Sequence, residues 1–164
     1  MKANDQSIQR FTQILKQHDA LIYKVCYMYA EDSDHLKDLY QEVAANLWNG
    51  LEGFEGKSKV STWVYRISLN TCITYFRKHG KHSATLRLDA AACDVEDTDS
   101  DRTSKLKFMY ELIGQLGKID KAIVMLWLDE HSYDEIAQVV GLSRANVASR
   151  LYRAKQKLAI AANE

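Results

Sequence analysis

The chain has 164 residues, and 22 Lys plus Arg stand against 22 Asp plus Glu, so its formal net charge is zero. Hydrophobic residues at 46% and charged residues at 27% exclude wholesale disorder, and the zero sum excludes a uniformly basic nucleic-acid coat but not local basic patches. Proline is absent and there are only 7 glycines, which favours long helices and argues against a β-sandwich built on Gly/Pro turns.

The N-terminus, MKANDQSIQR, lacks the apolar core of a signal peptide. The next segment places Phe11, Ile14 and Leu15, then Leu21, Ile22, Val25, Met28 and Tyr29, at helical spacing, which predicts one helix and its continuation. Ser33 or Asp34 is expected to cap a second helix with Leu36, Leu39, Tyr40, Val43 and Leu47 on its apolar face. Asn49 to Lys59 holds Gly50, Gly53 and Gly56 and reads as a loop. Ser61 or Thr62 is expected to cap a third helix, whose inward residues are Val64, Ile67, Thr71 or Cys72, and Tyr75.

Charge is sorted along the chain. Gly56 to Leu88 has no acid and seven bases, Asp89 to Asp101 has six acids and no base, and Ser143 to Leu158 has no acid and five bases. The acidic stretch is poor in aromatic and long apolar residues, so it cannot build a core and reads as a flexible linker, placed at 81–104. Basic residues Lys57, Lys59, Arg66, Arg77 and Lys78 interleave with Phe54, Trp63, Tyr65, Tyr75 and Phe76. Aromatics stack on unpaired bases while cations follow phosphates, which suits a melted strand. The same residues equally suit a helix with Trp63 and Tyr75 in its core and a solvated basic face.

After the linker, Leu106, Met109, Tyr110, Leu112, Ile113 and Leu116 predict one helix, and Asp120 to Leu128 a second, buried one. The run Ala122 to Leu128 is the longest uninterrupted apolar stretch, far short of the roughly 20 residues of a bilayer span, so no membrane span is expected. Ser132 and Glu135 have capping-box spacing, Ile136, Ala137 and Val140 form an inward face, and Gly141 suits a left-handed turn. Ser143 can cap a last helix that buries Val147, Leu151, Ala154 and Leu158 and turns Arg144, Asn146, Ser149, Tyr152, Arg153 and Gln156 outward. This is helix-turn-helix logic, with the second helix entering the DNA major groove. The fold class expected is all-α: two small helical domains joined by a flexible acidic linker, the C-terminal one a helix-turn-helix.

Two blocks resemble the extracytoplasmic-function (ECF) group of bacterial sigma factors. Asp38-Leu39-Tyr40-Gln41-Glu42-Val43 with Val60-Ser61-Thr62-Trp63-Val64-Tyr65-Arg66-Ile67-Ser68-Leu69-Asn70 is similar to the family's region 2, and Ser132 to Leu158 to its region 4. The resemblance implies domains at 1–80 (region 2) and 105–164 (region 4), and a chain that directs promoter-specific initiation and need not be an enzyme. It implies that Asp38, Gln41 and Glu42, at i, i+3 and i+4 on one helix face, dock on core RNA polymerase. Lys57, Lys59, Trp63, Arg66 and Asn70 carry over to capture of the melted minus-10 strand, and Arg144, Asn146, Ser149, Tyr152 and Arg153 to the minus-35 duplex. The partners implied are core RNA polymerase, promoter DNA and an anti-sigma factor. No cofactor is expected. Three departures from the family pattern stand out: Leu116-Gly117 where Leu-Pro is usual, Asn146-Val147-Ala148 where Thr-Val and a base are usual, and Val60 where Phe is usual.

A stand-alone helix-turn-helix regulator is the main alternative. A metal enzyme is the other, but His79-x-x-His82 and Cys26, Cys72 and Cys93 offer none of the usual zinc spacings. The widely spaced, odd cysteines fit a reducing cytoplasm, and Cys26 and Cys72 on apolar faces read as small core residues.

Overall fold

Helical spacing of apolar residues governs the fold of both parts of the chain. The computed structural model describes residues 2–79 and 100–164, and the chain divides into two units, 1–83 and 84–164. Every regular element among the described residues is a helix. Most of the segment read as linker, 81–99, lies outside the described residues, as do Cys93 and His82.

The N-terminal unit contains α1 (Lys2–Tyr29), α2 (Ser33–Gly50) and α3 (Val60–His79), each packed against the other two. Helix α1 is the expected helix plus continuation: His18 breaks it at φ −116°, ψ 15°. The core collects Ile22, Val25, Cys26 and Tyr29 from α1, Leu36, Leu39, Val43 and Leu47 from α2, and Val64, Tyr65, Leu69 and Cys72 from α3. Steps of three and four put each set on one stripe of its helix. Cys26 and Cys72 are both fully buried, as small core residues should be. Phe11, Leu15, Leu21, Tyr40, Ile67 and Tyr75 are only half-buried. The Tyr40 hydroxyl donates to Asp19 Oδ1 and so ties α2 to the second half of α1. Burial, then that hydrogen bond, pushes the Tyr40 phenol above its ordinary range.

Two caps differ from expectation. Helix α2 is capped by Asp32, not Ser33 or Asp34: Asp32 is extended (φ −153°, ψ −179°) and its Oδ1 accepts the His35 backbone N–H at 2.7 Å. Asp34 sits instead in the first turn, where a carboxylate favours the helix dipole. Helix α3 starts at Val60, and the Trp63 N–H donates to the Lys59 carbonyl at 3.1 Å. Ser61 and Thr62 therefore lie inside the first turn, and Thr62 is buried.

The C-terminal unit contains α4 (Ser100–Gly114), α5 (Lys118–Leu128), α6 (Tyr133–Val140) and α7 (Arg144–Ala162). Helix α4 begins inside the segment assigned to the linker by composition, so 100–104 are helical. Leu106 and Phe108 are exposed and Leu116 falls beyond the helix end, while Ile113 enters the core. Helix α5 is buried from Lys121 to Leu126, but Trp127 and Leu128, expected inside, are exposed. The Lys155 ammonium covers the Trp127 ring, 3.9 Å from its centroid. Glu130, at φ 64°, ends α5: its N–H donates to the Trp127 carbonyl at 3.0 Å and that of His131 to Leu126 at 3.1 Å. Helices α5, α6 and α7 pack pairwise around Ile123, Leu126, Ile136, Val139, Val147, Leu151 and Ala154.

Leu47, fully buried, has its side chain in the centre of the N-terminal core. Leu47→Ala is expected to destabilise that unit by about 2–5 kcal/mol, measured by urea unfolding followed by far-UV circular dichroism.

Candidate nucleic-acid interfaces

The α6–α7 turn is built by local hydrogen bonds. Ser132 Oγ accepts the Glu135 backbone N–H and Ser143 Oγ accepts that of Asn146, both at 3.2 Å. Between the helices Gly141 adopts φ 72°, ψ 31°, and the N–H groups of Gly141 and Leu142 both donate to the Ala137 carbonyl, at 3.0 and 3.2 Å. A Cβ at Gly141 would meet nothing within 4 Å, so the backbone angle, not space, calls for glycine. The inward face of α6 is Ile136 and Val139, whereas Ala137 and Val140 are half-buried. The expected set was one residue out of phase at its end, because an eight-residue helix offers the core little more than two turns.

Helix α7 buries Val147, Leu151 and Ala154, leaves Leu158 half-buried, and exposes Asn146, Ser149, Tyr152 and Arg153 on its outer side, while Arg144 is exposed at its first turn, in line with Val147 and Leu151 and not with Asn146. Tyr152 is 64% exposed, and its hydroxyl accepts from Gln156 Nε2 at 3.0 Å. Arg153 Nε reaches the Ser149 carbonyl at 3.4 Å. Arg144 Nη1 pairs with Asp134 Oδ2 at 3.1 Å, an exposed pair that is readily exchanged for another anion. Sequence reading left out Arg150 and Lys157. Arg150 Nη1 meets Asp120 Oδ1 at 2.9 Å across α5 and α7, and Asp120, Arg150, Arg153 and Lys157 line one small pocket. The signal was the spacing of 150, 153 and 157, which shares one helix flank.

In the N-terminal unit, Lys57 and Lys59 are exposed in the loop between α2 and α3, and Arg66 and Asn70 are exposed on α3. Lys59, Trp63, Arg66 and Asn70 follow one another at steps of three and four, so they form one strip. Trp63 is half-buried and stacks on Phe54, with centroids 4.7 Å apart and rings 28° from parallel. The Arg10 guanidinium lies over the same Phe54 ring, 5.8 Å from its centroid. Lys57 pairs with Glu55 at 2.9 Å, both exposed. Tyr65 is buried and belongs to the protein interior, and half-buried Tyr75 packs on His35 with centroids 5.0 Å apart. The side chains of Phe76, Arg77, Lys78 and His79 lie outside what the structure describes.

Asp38, Gln41 and Glu42 are exposed on α2, on the side opposite buried Leu39, Val43 and Leu47. Among the described residues no three His, Cys, Asp or Glu side chains converge as a metal site would require. Nor is any described helix long and apolar enough to cross a membrane.

The family model for Sigma-70 region 2 matches residues 14–82, and that for Sigma-70, region 4, matches residues 109–158. RNA polymerase sigma factor YlaC of Bacillus subtilis is 30% identical over 128 residues, 74% of this chain and 74% of that protein. ECF RNA polymerase sigma factor SigM of the same organism is 25% identical over 141 residues, 84% of this chain and 85% of that protein. The chain belongs to the ECF group of the sigma-70 family. It is a promoter-directing sigma factor, and both sigma regions in one chain set aside the stand-alone regulator. The fold agrees. The structure of CnrH in complex with the cytosolic domain of CnrY matches with a TM-score of 0.67 at 21% identity, covering 94% of this sigma factor and 89% of that chain. RpoE of Bartonella quintana, solved in complex with the anti-sigma factor NepR, matches with a TM-score of 0.67 at 19% identity over 92% and 94% of the two chains.

All the residues assigned by resemblance to the polymerase and minus-10 surfaces fall within the region 2 match, and those assigned to minus-35 within the region 4 match. The turn of this sigma factor's region 4 depends on a left-handed Gly141. Gly141→Ala is expected to cost about 1–2 kcal/mol of stability in the C-terminal unit, read as a lowered thermal midpoint.

Proposed function

We propose that residues 1–80 bind core RNA polymerase and hold the opened minus-10 strand, that residues 105–164 read the minus-35 duplex, and that the acidic segment 81–104 joins them. The observation that carries this reading is the separation of three exposed side-chain sets, each inside its matched sigma region and each backed by buried core. Asp38, Gln41 and Glu42 present acid and amide groups to a polymerase surface. Lys57, Lys59, Arg66 and Asn70 supply cations and a hydrogen-bonding amide along the opened strand, and Trp63 supplies a ring beside them.

The energetics are balanced. Extruding a base from the stack costs a few kcal/mol, and an aromatic platform returns about 1–3 kcal/mol per base. Contacts with polymerase and duplex supply the rest. On α7, Arg144, Asn146, Ser149, Tyr152 and Arg153 face the major groove, with phosphate contacts giving affinity and base-edge contacts giving specificity. Asn146 and Ala148 stand where the family usually has Thr and a base, so the minus-35 preference differs from that of relatives carrying those residues. The work takes place in the cytoplasm, where core polymerase resides. An anti-sigma factor is the expected regulator, since RpoE of Bartonella quintana was solved with one.

Purified chain and core polymerase, incubated with a promoter library and followed by transcript sequencing, are expected to give specific start sites only when both proteins are present. Tight operator binding by the chain alone, with no effect on polymerase, would overturn the proposal. Arg153→Ala is expected to lose about 1–3 kcal/mol at the preferred minus-35 sequence and to relax the preference at one base, measured by competition between promoter variants.

A further inference from the structure

Phe54 is the aromatic residue of the loop, and Arg10, which lies over its ring, comes from outside the region 2 match. The loop leaves α2 through buried Leu51, whose N–H donates to the Trp48 carbonyl at 3.3 Å, and the Phe54 N–H donates to the Leu51 carbonyl at 3.3 Å. From Glu55 to Lys59 every residue is exposed, and Gly56 takes φ 74°. This exposed stretch is held at its two ends, by Phe54 on one side and by the Lys59 carbonyl, which accepts the Trp63 N–H, on the other. Trp63 stacks on the Phe54 ring, and the Arg10 guanidinium lies over it. The next residue, Phe11, meets Trp48 edge-on, with centroids 5.2 Å apart and an interplanar angle of 75°. Arg10 and Phe11 thus bring the first half of α1, ahead of the break at His18 and ahead of residue 14 where the family match begins, onto both the end of α2 and the loop.

We infer that Arg10 is a positioning residue for melted-strand capture: its guanidinium holds Phe54 against Trp63 and so presents Lys57 and Lys59 beside the unpaired bases. The inference rests on the reading of Phe54 to Asn70 as the melted-strand surface. The physical basis is the attraction of a cation for the negative face of an aromatic ring, which a lysine also supplies and a neutral side chain does not. The cation also adds positive potential at the edge of a strip that already carries Lys57, Lys59 and Arg66.

The test uses holoenzyme assembled with the full chain and a fluorescent single-stranded oligonucleotide carrying the non-template minus-10 sequence. Arg10→Ala and Arg10→Gln are expected to weaken its binding about two- to five-fold, the size of an exposed cation–π contact, and Arg10→Lys to restore it. Affinity for core polymerase and for a minus-35 duplex is expected to stay unchanged. If Arg10→Lys falls as far as Arg10→Ala, or polymerase affinity falls with it, Arg10 merely supports the helix and the inference is overturned. Trp63→Ala and the exposed Lys59→Ala test the underlying reading. If these weaken the oligonucleotide and Arg10→Ala does not, the inference fails while the melted-strand surface stands. If none of them matters, both fail.

Discussion

Each surface this sigma factor offers is decided by which stripe of a helix must be buried. A helix in a small unit can hide only one apolar stripe, so the opposite side is committed to solvent or to a partner. Burying Leu39, Val43 and Leu47 turns Asp38, Gln41 and Glu42 outward. Burying Val64, Leu69 and Cys72 leaves Arg66 and Asn70 exposed. Burying Val147, Leu151 and Ala154 leaves Asn146, Ser149, Tyr152 and Arg153 on the outer side, with Arg144 exposed at the first turn. The chemistry of the outer faces thus follows from the packing of the inner ones, and a change in the phase of either core would scramble the sets its own helices carry.

The turns are the second constraint. Two helix ends in the C-terminal unit use a left-handed residue, Glu130 after α5 and Gly141 after α6. Both ends return two N–H groups to carbonyls of the last helical turn, which stops the helix and aims the next one. Gly141 supplies the left-handed angle freely, whereas Glu130 adopts it at a cost that the packing of α5 on α6 and α7 must offset. At Gly117 the backbone sits at φ −61°, ψ 160°, close to the φ that a proline ring would impose. The departure from Leu-Pro therefore keeps the turn and loses only its presetting.

Much of this was legible beforehand because periodicity and local capping are short-range. The first helix and its continuation, the α2–α3 loop, Ser132 and Ser143 as caps, Gly141 as the turn and the outward residues of α7 are all set within a few residues of sequence, whereas the break at His18 is not. The misreadings have physical causes too. Asp32, Ser33 and Asp34 all have capping side chains, and only the extended backbone at Asp32 selects among them. Trp127 and Leu128 look like core in a continuous apolar run, yet the helix ends there and Lys155 from α7 covers the ring. The acidic stretch read as linker ends earlier than composition suggests: α4 begins at Ser100, and on it Asp101 and Lys105, one turn apart, pair at 3.3 Å.

By itself the sequence determined the all-α class, the sorting of charge into basic, acidic and basic segments, and the residues that face outward from the recognition helix. These depend on spacing and on side-chain type alone. Only the tertiary structure decided which aromatics are interior and which lie at the surface: Tyr65 goes inside, Tyr75 packs on His35, and Trp63 stacks on Phe54 beneath Arg10. It also brought Asp120 to Arg150 across 30 positions of sequence. Ring stacking, cation–π contact and cross-helix pairing need groups distant in the chain to meet, and no local pattern encodes that meeting.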